Sequence, residues 1–187
     1  MSRGLGDVYK RQVDDTAELI RHAHAEGWAR AESTVVLGGS SGGLTVLGLL
    51  TDHGDLVAGG VASYPVSDLK ALTEVDHRFE AHYTDTLVAP NDGSVESEAS
   101  FVTLSPIHRP ERITRPLLLM HGTDDHVVPI VQSEALVAGV RAAGGDVDFV
   151  VYDGEGHGFR DPDVVADEYE RTEAFLERAV SQPRLDG

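Results

Sequence analysis

Three short stretches of this sequence hold side chains that can do chemistry together. Gly38-Gly39-Ser40-Ser41-Gly42-Gly43 sets two serines among glycines. His121-Gly122-Thr123-Asp124-Asp125 supplies two carboxylates, and Gly154-Glu155-Gly156-His157-Gly158-Phe159 supplies a histidine with little around it to pack against. A serine hydroxyl becomes a nucleophile when a base takes its proton and an acid orients that base. Oxygen and nitrogen are the available nucleophiles, because the chain contains no cysteine. The same lack excludes a disulfide framework and a thiolate zinc site.

The spacing leaves two points open. G-x-S-x-G fits as Gly38-x-Ser40-x-Gly42 and as Gly39-x-Ser41-x-Gly43, and Asp124 competes with Asp125 as the acid. The glycine-rich stretch lacks the Walker lysine and matches no G-x-G-x-x-G, so a phosphate cradle or dinucleotide fold is not indicated. His121, His126 and the two aspartates lie too close along the chain to converge on one ion, and no second ligand loop accompanies them. His22 and His24 are two apart on a helix and do not face each other, so both are expected in solvent.

What must position these groups is a series of alternating elements. Val13, Ala17, Ile20 and Trp28 mark one helix face, with Asp15 and Glu18 at capping-box spacing near its start. Ser33 to Leu37 reads as a buried strand, and Leu44 to Asp52 as a helix. Leu56 to Ala62 is a second strand, Pro116 to Met120 a third and Asp146 to Tyr152 a fourth. Residues 130–143 form a helix ending at Gly144-Gly145. A last helix runs from Pro162 to Val180, with Val165, Tyr169, Thr172, Leu176 and Val180 along one face. Strands alternating with helices predict an α/β fold, a mostly parallel sheet with helices on both faces. Residues 65–112 lack a clean strand and hold short helical pieces, Ser67–Thr73 and Val95–Leu104, as expected of a cap-like insertion facing substrate. Each chemical stretch then follows a strand at its carboxyl end, where such sheets place their sites. The order serine, acid, histidine is that of the α/β-hydrolase fold.

At the level of segments, VVLGGSSGG, LLLMHGTDDHVVP and VVYDGEGHGF resemble the three catalytic segments of the prolyl oligopeptidase family of serine peptidases, with its acylaminoacyl-peptidase and dipeptidyl-peptidase branches. Ser63-Tyr64-Pro65-Val66-Ser67-Asp68-Leu69 and His77-Arg78-Phe79-Glu80 are similar to family segments too. The resemblance spans residues 13–187. The family's G-G-S-x-G-G implies Ser40 as nucleophile and the Ser41 backbone N–H as an oxyanion donor. Its H-G-x-x-D-x-x-V-P implies Asp125 as the acid, and His157 matches the base. Val66, Phe79 and Val128 are implied as lining for the residue before the scissile bond. The implied activity is hydrolysis of peptide bonds through an acyl-enzyme, with a peptide substrate and neither metal nor organic cofactor. A carboxylesterase or another α/β-hydrolase is the alternative.

Charge and length complete the reading. With 15 Lys plus Arg against 32 Asp plus Glu, the formal net charge is −17. Nucleic acid and anionic membrane surfaces are therefore not expected partners. No stretch is long and apolar enough to span a bilayer and no signal region opens the chain, which points to a cytoplasmic protein. Residues 1–12 carry three basic residues against one acidic, and are expected to be a non-native or disordered terminus. An eight-stranded hydrolase sheet, at ~30 residues per strand and helix, needs roughly 240 residues, whereas four strands are read here. The expectation is the carboxyl-terminal portion of a larger domain, with the amino-terminal strands and the second oxyanion donor outside it. Loss of one such donor costs ~10² to 10³ in rate, so an inactive fragment is a further alternative. The strand before Ser40 should expose an unpaired apolar edge, and a homo-oligomer is compatible with this reading.

Overall fold

A computed structural model of the chain describes residues 8–71 and 94–181. Phe79, with the neighbouring His77, Arg78 and Glu80, lies outside the described residues, as do residues 1–7. The sheet has four strands in sequence order: β1 (Val35–Gly39), β2 (Gly59–Ser63), β3 (Leu117–Gly122) and β4 (Val147–Tyr152). Every pairing is parallel, with Val35 opposite Gly59, Gly60 opposite Leu117, and Leu117 opposite Val147. Among the described residues five α-helices accompany it: α1 (Val8–Ala25), α2 (Ser41–Asp52), α3 (Val95–Leu104), α4 (Val131–Ala142) and α5 (Pro162–Ser181). Among the described residues no helix is long and apolar enough to cross a membrane.

Period-two alternation in the strands divides the core between two faces. Ala62, Leu117, Leu119 and Val147 pack with Ala17 of α1, Val46 to Leu50 of α2, and Leu136, Val137 and Val140 of α4. Val61, Leu118, Met120 and Tyr152 point the other way, onto Phe175 and Ala179 of α5. Helices thus cover both faces, as the alternating pattern predicts.

The first helix departs from expectation at both ends. It starts at Val8, because Tyr9 is buried with Leu44, Val66, Leu69, Phe101 and Val128 and draws the preceding turn into the fold. Asp15 and Glu18 consequently lie mid-helix, where Glu18 accepts a 2.6 Å bond from Arg21. The helix stops at Ala25. Gly27 takes φ +73°, its N–H bonds His24 O and the Trp28 N–H bonds Ala23 O, the Schellman pattern. Trp28 therefore leaves the helix face assigned to it and is 72% exposed. Nor is His24 free in solvent, since its Nε2 lies 2.9 Å from Thr34 Oγ1. In α5 the buried stripe is one residue out of step with the expected one: Phe175 and Ala179 are buried, whereas Tyr169 and Val180 are exposed. The aromatic ring of Phe175 wins the core position, and its neighbours Thr172 and Leu176 fall to the flanks.

Candidate active site

A sharp turn between β1 and α2 presents Ser40, whose backbone sits at φ 55°, ψ −121°. That region is costly for a residue with a Cβ, about 1–3 kcal/mol, and persists only when its surroundings hold it. They do so here: the Ser40 N–H donates to Ser63 O at 3.0 Å, and the Ser40 carbonyl accepts from Leu44 N at 3.1 Å. The turn closes because a Cβ at Gly38 would stand 2.5 Å from Gly42 O. Ser41 opens α2, so its backbone N–H belongs to the first turn, which has no intrahelical acceptors. Its side chain is exposed.

From the far side of the sheet, the loop after β4 brings His157 over this turn. Its Nε2 lies 2.9 Å from Ser40 Oγ, and its Nδ1 lies 2.8 Å from Asp125 Oδ2. Asp125 follows β3 and is 5% exposed. Its other oxygen, Oδ1, accepts the backbone N–H groups of Val127 at 2.9 Å and Val128 at 2.8 Å. Burial alone would push this carboxyl up. Hydrogen bonds from His121, His157 and the Val128 amide outweigh it and hold the group well below the usual carboxylate range. Asp124, the rival acid, is exposed and contributes its backbone N–H to Glu155 O at 2.9 Å.

The two loops that carry Asp125 and His157 are stitched together. Besides the Asp124 bond, Thr123 N–H donates to Tyr152 O, and the Gly154 N–H donates to Thr123 Oγ1 at 2.8 Å. Gly122 lies directly under the Glu155 carbonyl, with no room for a Cβ. Glu155 is buried, and its carboxylate accepts the N–H groups of Arg160 and Asp161, anchoring the far end of the histidine loop.

The likeness of residues 63–69 to family segments assigns Tyr64 no role. This tyrosine follows β2 at the same sheet edge, takes φ 41°, and lays its ring edge-on to His157 at 4.9 Å between centroids and to Phe159 at 5.2 Å. Burial, with the charges of Glu168 and Asp125 adding to it, raises its phenol above the ordinary value. Its place directly after a strand that ends at the site was the available signal; a positive φ at a tyrosine was not. Of the expected pocket residues, Val66 and Val128 come together in one buried cluster with Tyr9, Leu44, Leu69 and Phe101.

A parallel sheet with helices on both faces, carrying a serine on its strand-to-helix turn and a histidine and an aspartate on later strand ends, defines an α/β-hydrolase. The sequence profile of the prolyl oligopeptidase family, peptidase S9, matches residues 1–182, and the chain belongs to that family. Dipeptidyl aminopeptidase BIII of Pseudoxanthomonas mexicana is 29% identical over 180 residues, 95% of this chain and 26% of that protein. Dipeptidyl peptidase family member 6 of Caenorhabditis elegans is 26% identical, over 95% of this chain and 24% of that one. A Mycobacterium tuberculosis puromycin-hydrolyzing peptidase superposes with a TM-score of 0.85 at 29% identity, covering 92% of this chain and 26% of its own. The chain thus spans about a quarter of the length of these relatives.

Proposed function

We propose that this chain carries the catalytic triad of a serine peptidase, with Ser40 as nucleophile, His157 as general base and Asp125 as the acid that orients it. The observation that carries this reading is the imidazole of His157 bridging Ser40 Oγ at 2.9 Å and Asp125 Oδ2 at 2.8 Å. Asp125, ionised and buried, accepts a hydrogen bond from Nδ1–H, which keeps the ring's proton there and leaves Nε2 unprotonated toward the serine. Nε2 takes the hydroxyl proton as Ser40 Oγ attacks a carbonyl carbon, then returns it to the leaving amine. Water repeats the sequence and releases the acyl group. The Ser41 backbone N–H faces the oxyanion that forms at each stage.

A peptide substrate is favoured by the relatives, one named as a dipeptidyl peptidase family member, one as a dipeptidyl aminopeptidase and one as a puromycin-hydrolyzing peptidase. On this reading Val66, Val128 and Phe79 form the apolar wall for the side chain before the scissile bond, and residues 65–112 face the substrate. Fluorophosphonate labelling of the protein expressed from its complete gene tests the assignment. Ser40→Ala should abolish labelling while Ser41→Ala retains it; full labelling of Ser40→Ala rejects Ser40 as nucleophile. Turnover of nitrophenyl esters without any turnover of dipeptidyl or acylaminoacyl nitroanilides would replace peptidase by esterase.

A further inference from the structure

His121 is fully buried beside the triad and has no part in the reaction proposed above. It belongs to β3, four residues before Asp125. Its Nε2 lies 2.9 Å from Val128 O and 3.2 Å from Asp125 Oδ2, and its Nδ1 lies 2.7 Å from Ser133 Oγ. A carbonyl oxygen can only accept, so Nε2 carries the ring's proton. Ser133, in the first turn of α4 and itself fully buried, is placed to donate its hydroxyl to Nδ1 and so to favour that tautomer. Asp125 Oδ2 therefore accepts from His157 Nδ1 and has the His121 Nε2–H, bonded to Val128 O, beside it at 3.2 Å, while Oδ1 is taken by the Val127 and Val128 amides.

We infer that His121 is a positioning residue for the proposed triad: its Nε2–H, fixed by Ser133 and directed to Val128 O, holds the turn from Asp125 to Val128 and lies against Asp125 Oδ2, drawing part of that oxygen's charge from His157. The inference rests on the triad reading of the previous subsection. Among the described residues, Asp125, Ser40 and the ring of Tyr64 face His157, and the charged group facing His121 is Asp125. An imidazolium at His157 is stabilised by whatever charge Oδ2 has left to offer. Sharing that oxygen with His121 leaves less of its charge for an imidazolium beside it. Removing the second donor returns the charge to His157, so the acid limb of reactivity moves to higher pH. A purely packing role would change how much protein folds, and would leave that limb where it is.

The second-order rate constant for fluorophosphonate labelling, measured across pH on the protein from its complete gene, reads both effects without a known substrate. For His121→Leu the plateau rate should fall about tenfold, as for loss of one charge-assisted hydrogen bond, and the acid limb should rise by about half to one pH unit. His121→Gln, whose amide N–H reaches the place of Nε2, should recover most of both. Ser133→Ala frees the tautomer and should shift the limb in the same direction by less. A limb unmoved in His121→Leu, or a His121→Gln variant no better than the leucine, overturns the inference. If the leucine variant does not fold, Ser133→Ala decides: a raised limb supports the inference, an unmoved one overturns it. A wild-type protein that does not label rejects the triad reading, and this inference with it.

Discussion

The Asp125 carboxylate accepts from His157 Nδ1 and the Val127 and Val128 amides and has the His121 Nε2–H 3.2 Å away, and that surrounding of donors holds it below the usual carboxylate range. Because its folded-state value is depressed, the stabilisation it brings is fully present above the ordinary carboxylate range near pH ~4 and is lost as pH falls through the lower folded value. Asp125→Asn should accordingly be less stable than wild type at neutral pH, by chemical denaturation followed with circular dichroism. The difference should shrink as the pH is lowered past the ordinary range. The same substitution should lower reactivity about 10⁴-fold, since an amide in that place favours the wrong tautomer of His157. Were the labelling rate of Asp125→Asn unchanged, the acid assignment would fall. Glu155 offers a contrasting case: it accepts only backbone N–H groups, so Glu155→Gln keeps one acceptor oxygen and should slow labelling by far less than Asp125→Asn, measured on the same probe.

In β1, the turn and α2, one close approach governs the geometry. Adding a methyl at Gly38 forces the Gly42 carbonyl aside, and Gly38→Ala should cost about 1–3 kcal/mol of stability, read as a lower Tm, together with loss of labelling. A Gly38→Ala protein of unchanged Tm and reactivity would show that the turn tolerates the shift. How much of this was legible in the chain differs by element. β4 and the Gly144-Gly145 stop of α4 could be read directly, because a β-branched run and a C-cap glycine are local signals; Gly144 takes φ +84° with the Gly145 N–H bonded to Val140 O. The order of the three chemical stretches was legible too, since each follows a strand. The start of α1 was not: Val8 to Gln12 show no apolar period, and Tyr9 is held by residues as distant as Phe101 and Val128. The burial face of α5 was misjudged by one residue, because Val165 and Tyr169 look as apolar as Val164 until the sheet selects Phe175. The stitching of the Asp125 and His157 loops uses backbone groups, which leave no mark on composition.

Taken together, the described residues form a sheet whose outermost strand on one side, β1, pairs with β2 alone. Leu37 on that strand is 52% exposed, and a cleft of about 380 Å³ lies between it and Tyr64, Glu168, Tyr169 and Thr172. An apolar strand with a free row of backbone donors and acceptors templates further pairing. The 187-residue chain expressed alone should self-associate, and Leu37→Lys should reduce that association in light scattering at equal concentration. A monodisperse monomer of the unaltered chain would show that this edge is protected. The net charge of −17 opposes association over distance, so the effect should grow as salt screens it.

The stitched loops have a mechanical consequence. Asp125 and His157 hang from β3 and β4, are bonded to each other through Asp124, Thr123 and Glu155, and so travel as one plate. Ser40 rides on a different support, the turn leaving β1. A small slide of β1 along the sheet would alter one separation, Ser40 Oγ to His157 Nε2, and leave the histidine to aspartate distance untouched. In such a layout the separation on which the proposed reaction depends is set by where β1 and its turn sit, and that turn is tied to β2 by the Ser40 N–H to Ser63 O bond.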